Sequence, residues 1–278
     1  MSPMSPRLLR PRASGAFNPR SIANLQLWLD ASDVSGMRQL SDGTTAVTAD
    51  ADPVGYWADK SGNGYHATQS TTNNRPSYRT GVRNGRSTLR WDGNNDSFRV
   101  ASLPLDATIS VFVVAQFNVA GTGGNATGNL FIEHSATSNV NSGFAVSGQS
   151  SVPQQIHRTV SPAFRYAQLG VVGWRGTDWA VAECRFSGGS NIDSVLAYWK
   201  NGALQANNGS SSGATTEAGT VTSSRSVTAD LFIGSRNQAS IFSNGDYAEI
   251  LIYNRPLTDA EHTAVRRYLG GKWGITVT

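Results

Sequence analysis

Hydrolysis of a sugar linkage needs two carboxyl groups flanking one bond, about 5–5.5 Å apart where configuration is retained. On a strand, residues i and i+2 share a face, so a Glu followed two positions later by an Asp would supply such a pair. None of the five glutamates, Glu133, Glu183, Glu217, Glu249 and Glu261, has an Asp at that offset. Asp50 and Asp52 do have the offset, but they precede Pro53 in a loop-like stretch. Strand alternation sends Asp246 and Glu249 to opposite faces, and Glu249 reads as a structural group near a helix junction. His66, His134, His157 and His262 are scattered, and no nucleophile elbow on a strand-to-helix turn accompanies them. His262 is expected exposed in the first turn of a helix, and His66 in a loop. The lone Cys184 sits in an apolar stretch, WAVAECRF, where a buried, inert thiol is expected. One cysteine and dispersed histidines give no zinc spacing. No catalytic residue is assigned, and an enzyme is not expected.

Oxygen ligands are better represented. Asp59-x-Ser61-x-Asn63-Gly64 and Asp92-x-Asn94-x-Asp96 place side-chain oxygens at alternate positions, as calcium loops do. The twelfth position counted from Asp59 is Ser70 and from Asp92 is Leu103, so neither loop carries the closing bidentate Glu. Loop oxygens from separate strands could still share one calcium ion. The favoured reading is that Asp59 and Asn63 cap a tight turn through bonds to backbone groups. No cofactor is certain.

Sugar recognition needs aromatic plates and polar groups for hydroxyls. Trp57, Tyr65, Trp174 and Trp199 are the candidate plates, with Asp59, Asn63 and Arg175 as hydrogen-bonding partners. Trp28, Trp91 and Trp273 lie among apolar neighbours and are expected in the core.

Charge is unevenly placed. Arg7, Arg10, Arg12 and Arg20 precede the first acid, Asp30, and the remaining chain carries 19 basic against 19 acidic residues out of totals of 23 and 19. Nucleic acid is therefore not an expected partner of the globular part. Residues 1–22, rich in Pro, Arg and Ser, read as an extended arm suited to lying on an acidic surface of another subunit. The opening residues lack a continuous apolar segment and no run approaches a membrane span, so a soluble chain without an export signal or membrane insertion is expected.

The elements that must hold these residues are strands. Leu25, Leu27 and Leu29 alternate with Gln26, Trp28 and Asp30. Further strands are expected at 88–91, 97–100, 109–117, 129–134, 143–147, 154–159, 179–186, 194–200, 230–235 and 246–253. The 194–200 strand runs into Asn201-Gly202, a type I′ hairpin pair. Stretches 118–128 and 207–226 read as loops within one domain, 23–278. Thr258-Asp259-Ala260-Glu261 is a capping box that starts a helix with Val265, Tyr268 and Leu269 on one face and Gly270 as its stop.

Three segments together resemble the concanavalin A-like lectin/glucanase superfamily in its laminin-G-like branch. They are Leu25-Gln26-Leu27-Trp28-Leu29-Asp30-Ala31; Trp57-Ala58-Asp59-Lys60-Ser61-Gly62-Asn63-Gly64-Tyr65-His66-Ala67 with Trp91-Asp92-Gly93; and Gly245-Asp246-Tyr247-Ala248-Glu249-Ile250-Leu251-Ile252-Tyr253-Asn254-Arg255-Pro256-Leu257-Thr258-Asp259-Ala260-Glu261. The resemblance implies an all-β fold: two antiparallel sheets in a jelly-roll sandwich, with one short C-terminal helix and the N-terminal arm. Glucanases of that superfamily carry a Glu-x-Asp-x-x-Glu strand, which this chain lacks. Domains with a short basic arm also look like components of bacteriophage particles. The expectation is a non-catalytic virion-type structural or decoration protein. Its arm would dock to a protein partner, and its lectin-like domain would contact a cell-surface glycan, singly or as a homo-oligomer. A free carbohydrate-binding module is the alternative, and a glycoside hydrolase a more distant one.

Overall fold

The computed structural model describes residues 17–106, 108–118, 129–135, 144–148, 155–160, 163–168, 178–187, 196–205 and 227–278. Their strands form two antiparallel sheets. The first sheet contains β1 (Leu25–Asp30), β5 (Ser77–Arg83), β6 (Arg86–Asp92), β8 (Ile109–Phe117), β13 (Ala180–Phe186), β14 (Leu196–Lys200), β15 (Ala203–Leu204) and β17 (Asn244–Tyr253). The second contains β2 (Met37–Arg38), β3 (Tyr56–Trp57), β4 (Ala67–Thr68), β7 (Phe98–Leu105), β9 (Asn129–Ser135), β10 (Phe144–Gly148), β11 (Gln155–Val160), β12 (Ala163–Gln168) and β16 (Val227–Ile233). Strand order is β15-β14-β13-β8-β17-β6-β5 in the first, with β1 also on β17, and β12-β11-β10-β9-β16-β7-β4-β3-β2 in the second.

Side chains alternate into the space between the sheets, where Leu27, Leu29, Trp57, Trp91, Phe98, Val113 and Ile250 bury together. The first sheet is buried on its other face as well. There Trp28, Phe112, Val114, Val181, Leu251 and Tyr253 meet Val265, Leu269 and Trp273 of helix α1 (Asp259–Trp273). This double burial explains why β8 reads ISVFVVAQF, an almost unbroken apolar run rather than an alternating one. Trp28, Trp91 and Trp273 are core residues, as expected, and Cys184 is buried between the sheets.

Helix α1 begins as its sequence dictates: the Thr258 hydroxyl accepts from the Glu261 backbone N–H while the Glu261 carboxylate takes the Thr258 N–H. It does not stop at Gly270. It continues to Trp273 and ends on Gly274, whose left-handed φ of 62° suits glycine. The β5–β6 turn extends it: Arg83 donates to the carbonyls of Trp273 and Gly274, and Arg86 and Asn84 to that of Lys272. Cationic donors there also favour the negative end of the helix.

Asn201-Gly202 forms the expected hairpin, both residues having positive φ (54° and 89°). Residues 17–22 pack on the sandwich instead of trailing from it. Phe17 contacts Tyr268, the Tyr253 hydroxyl donates to the Pro19 carbonyl, and Asn18 caps the short 3-10 turn Pro19–Ser21. Among the described residues no helix is long and apolar enough to cross a membrane.

Candidate functional site

The Asp59 turn is a closed hydrogen-bonded knot. Asp59 Oδ1 accepts from the N–H groups of Trp28 (3.0 Å) and Ser61 (2.8 Å), and Oδ2 from the Ser61 hydroxyl (2.7 Å) and the Tyr65 N–H (3.1 Å). Asn63 Nδ2 donates to the carbonyls of Leu25 and Gln26. Both residues thus tie the 59–65 turn to β1, the turn-capping role favoured from sequence. The second loop behaves alike: Asp92 Oδ1 accepts from Asn94 and Asn95 N–H, and Asp96 Oδ2 from the Asp92 N–H. Among the described residues, no group of three or more His, Cys, Asp or Glu gathers in a way that could hold a metal ion.

The aromatic candidates do not converge. Trp57 is 1% exposed and packs on Phe98 between the sheets, so it offers no face to a sugar. Tyr65 is half-buried against the same core. Trp199 stands in the other sheet, 4.6 Å from the ring of His262 and beneath the guanidinium of Arg185. Trp174 and Arg175 lie outside the described residues, as do Arg7, Arg10 and Arg12 and nearly all of the two long loops, 118–128 and 207–226. Arg20, grouped with the arm, donates from Nε to the Lys60 carbonyl at 2.7 Å, part of the same turn that Asp59 organises.

Two acidic expectations change. Asp246 and Glu249 share the helix-covered face, because a bulge between Tyr247 and Glu249 resets the alternation of β17. Asp246 pairs there with Arg90. Glu249 accepts from the indoles of Trp28 (2.8 Å) and Trp273 (2.7 Å), from the Tyr268 hydroxyl and from Lys272. Burial holds its carboxyl above the ordinary range. His262, expected exposed, is 2% exposed. It lies between Phe112 and Trp199, with Nδ1 3.0 Å from Glu183 Oε2. Burial lowers its pKa, because the charged imidazolium is poorly solvated there.

The residue beside Trp57 is the one that faces out. Tyr56 points away from the core and lines an open cleft of about 290 Å³ with Ser35, Gly36, Arg38, Asp42, Gly43 and Ala58. Strand β3 positions the tyrosine, pairing with β2 through Tyr56↔Arg38 and with β4 through Tyr56↔Thr68. The row continues as Thr68↔Arg99 and Arg99↔Phe232, so Arg38, Tyr56, Thr68 and Arg99 share the outer face of the second sheet. His66 braces the tyrosine ring with centroids 5.0 Å apart, while its Nδ1 accepts from the Asp59 N–H. On the loop side Gly43, at φ 80°, approaches the ring: a Cβ there would sit in ordinary contact, 3.7 Å from Tyr56 Cε2. Arg38 is fixed by donating from Nη1 to the carbonyls of Ser35 and Met37, both at 2.7 Å. Asp42 is fixed by Thr44, whose hydroxyl and N–H both reach Oδ1 and hold the carboxyl below its ordinary pKa. A half-buried ring flanked by a rigid cation and a rigid anion can stack on an apolar ring face and hydrogen-bond its edge.

Sequence reasoning missed Tyr56, Arg38 and Asp42. The available signal was the period-two alternation across Tyr56-Trp57: if one residue enters the core, its neighbour must leave it.

No protein-family model and no curated protein sequence matches the chain. In three dimensions it is similar to the binding domain of Paraclostridial Mosquitocidal Protein 1, with a TM-score of 0.55 and 12% identity over 88% of this chain and 52% of that one. It is similar to domain 4 of AbnA, a GH43 extracellular arabinanase from Geobacillus stearothermophilus, in complex with arabinotriose (TM-score 0.53, 14% identity, 87% and 98% of the two chains). Trypanosoma rangeli sialidase in complex with the inhibitor DANA also aligns (TM-score 0.52, 10% identity, 92% and 34%). What is shared is the fold. The chain spans about a third of the sialidase and about half of the toxin chain, but nearly all of the arabinanase domain.

Proposed function

We propose that this chain is a non-catalytic carbohydrate-binding sandwich of the concanavalin A-like kind, holding its glycan in the Tyr56 cleft. The observation that carries the reading is the half-buried Tyr56 ring lining one cleft with Arg38 and Asp42 on the outer face of the second sheet. The fold of an arabinanase domain bound to arabinotriose accords with it. The non-catalytic part rests on the acids. Every described glutamate is engaged by a cation: Glu133 by Arg236, Glu183 by Arg266, Glu249 by Lys272 and Glu261 by Arg255. None of these carboxylates lines the Tyr56 cleft, and a general acid must lie within hydrogen-bond reach of the group it protonates. The test is affinity electrophoresis and a glycan array with the intact chain and a Tyr56→Ala variant. Retention by at least one saccharide, weakened tenfold or more in the variant, is expected; equal binding by both would remove the cleft from the reading.

Assembly is a second reading, favoured by the concentration of Arg7, Arg10 and Arg12 in a chain otherwise balanced in charge. In it the opening segment docks the sandwich on a protein partner, as in a virion-type decoration protein. Removing residues 1–16 would then abolish incorporation and leave glycan binding intact. Normal incorporation of the shortened chain would refute it.

A further inference from the structure

Arg38 and Asp42 carry opposite charges and line one cleft, yet they form no ion pair with each other. Each is held by a different part of the backbone. The Nη1 of Arg38 is spent on two carbonyls, and among the described residues its Nε and Nη2 have no protein partner. Asp42 spends Oδ1 on Thr44, and among the described residues no side chain or backbone hydrogen bond is made to its Oδ2. The Tyr56 hydroxyl likewise has no protein hydrogen bond among these residues. Ser35 adds little, since its hydroxyl is already donated to Asp33. Arg75, the cation whose charge helps lower the Asp42 pKa, is occupied by the carbonyls of Gln69 and Ser70. The cleft therefore offers one fixed donor edge, one fixed acceptor edge, a phenol and an aromatic plate.

A guanidinium only donates and a carboxylate only accepts, whereas a hydroxyl does both. Two hydroxyls of one saccharide unit can satisfy both edges, one accepting from Arg38 and the other donating to Asp42. A carboxylate on the ligand would gain Arg38 but would face the exposed Asp42 anion across the same cleft, a like-charge contact that solvent and salt screen only in part. A cationic sugar meets the mirror problem at Arg38.

We infer that the ligand of the Tyr56 cleft is an uncharged saccharide unit whose hydroxyls bridge Arg38 and Asp42, and that acidic sugars are disfavoured by the Asp42 charge. The inference rests on the carbohydrate-binding reading above and narrows it to a substrate class. Notably, it separates this chain from a sialic-acid ligand even though a sialidase shares part of the fold.

The experiment uses the full chain at neutral pH and low salt. Titrations are run with neutral arabino-, gluco- and galacto-oligosaccharides, with oligouronates and with sialyllactose. The variants are Tyr56→Phe, which keeps the plate and removes the hydroxyl, and Asp42→Asn, which keeps an oxygen for Thr44 and removes the charge. Thermal melting of each variant controls for folding. A neutral oligosaccharide should bind best, several-fold more weakly in either variant, while Asp42→Asn gains binding to the acidic sugars by fivefold or more. If the preferred ligand is acidic and still depends on Tyr56, the neutral class is overturned and glycan binding stands. If a neutral glycan binds with equal strength to the parent and both variants, the bridging geometry is overturned. If no saccharide binds at all, the carbohydrate-binding reading falls, and this inference falls with it.

Discussion

Asp96 shows how much one residue's surroundings decide. Its side chain is 6% exposed, accepts from the Asp92 N–H, and sits close enough to the Asp92 carboxylate to feel it. Burial first, and the Asp92 charge second, push its pKa up to about 7. In an unfolded chain the same carboxyl titrates near ~3.9. The folded state thus binds more protons between those values, and stability falls as pH rises from about 4 to about 7, with the full cost present above 7. Asp96→Asn keeps an acceptor for Asp92 and has no charge to bury. We expect it to stabilise the protein on the order of 1–3 kcal/mol at pH 8 and to change little at pH 4. Urea titrations at the two pH values check this, and equal midpoint shifts at both would contradict it. The sequence marks Asp59, Asn63, Asp92 and Asp96 as turn formers because short polar side chains can reach their own backbone. It does not reveal which of them is desolvated. That depends on residues far along the chain.

At the scale of elements, α1 is the most independent piece. The capping box is local chemistry, so the helix start was legible in Thr258-x-x-Glu261, and Thr258→Ala should cost about 1 kcal/mol in chemical denaturation. Its end was not legible, because the carbonyl partners Arg83, Asn84 and Arg86 come from a hairpin nearly 190 positions earlier. The same helix carries Trp273, Tyr268 and Lys272 to Glu249 on β17. Replacing Glu249 by Leu leaves two indole donors and the Tyr268 hydroxyl without their acceptor, while Lys272 keeps Asp30. A loss of about 2–5 kcal/mol is expected from the orphaned donors, read from the urea midpoint, and a loss under 1 kcal/mol would mean the network contributes nothing net. Strand candidates rich in β-branched and aromatic residues were found almost in register, β8 and β17 among them. The two-residue strands β2, β3, β4 and β15 were not, since two residues carry no period to read, and the longer β5 and β12 were missed as well.

For the whole molecule, the two faces of the sandwich have different fates. The outer face of the first sheet is sealed by α1, while the outer face of the second carries Arg38, Tyr56 and Arg99 toward the surface. Removing residues 259–278 would bare Phe112, Val114, Val181, Leu251 and Tyr253, an apolar patch large enough to drive association. Such a truncation should bind hydrophobic dyes and aggregate on expression. A soluble, cooperatively melting product would show that α1 is dispensable. The sealed face also explains the misplacement of His262: its first-turn position suggested exposure, but it shares a helix face with Val265 and Leu269, and Phe112 of β8 and Trp199 of β14 close over it.

Local grammar settled a great deal here. Alternation, Asn-Gly, the capping box and the oxygen-rich turns are interactions among residues a few positions apart, and their energetics hardly depend on the rest of the chain. Those signals were enough to place most strands and one helix, while the two-sheet sandwich was implied by the resemblance of three segments to a known superfamily. The functional surface is another matter. Whether Tyr56 or Trp57 enters the core depends on the register of β3 against β2 and β4, and the bulge that puts Asp246 beside Glu249's face depends on β17 pairing with β8. Register and bulges are set by partners distant in sequence, so only the tertiary structure could bring Arg38, Asp42 and Tyr56 to one cleft.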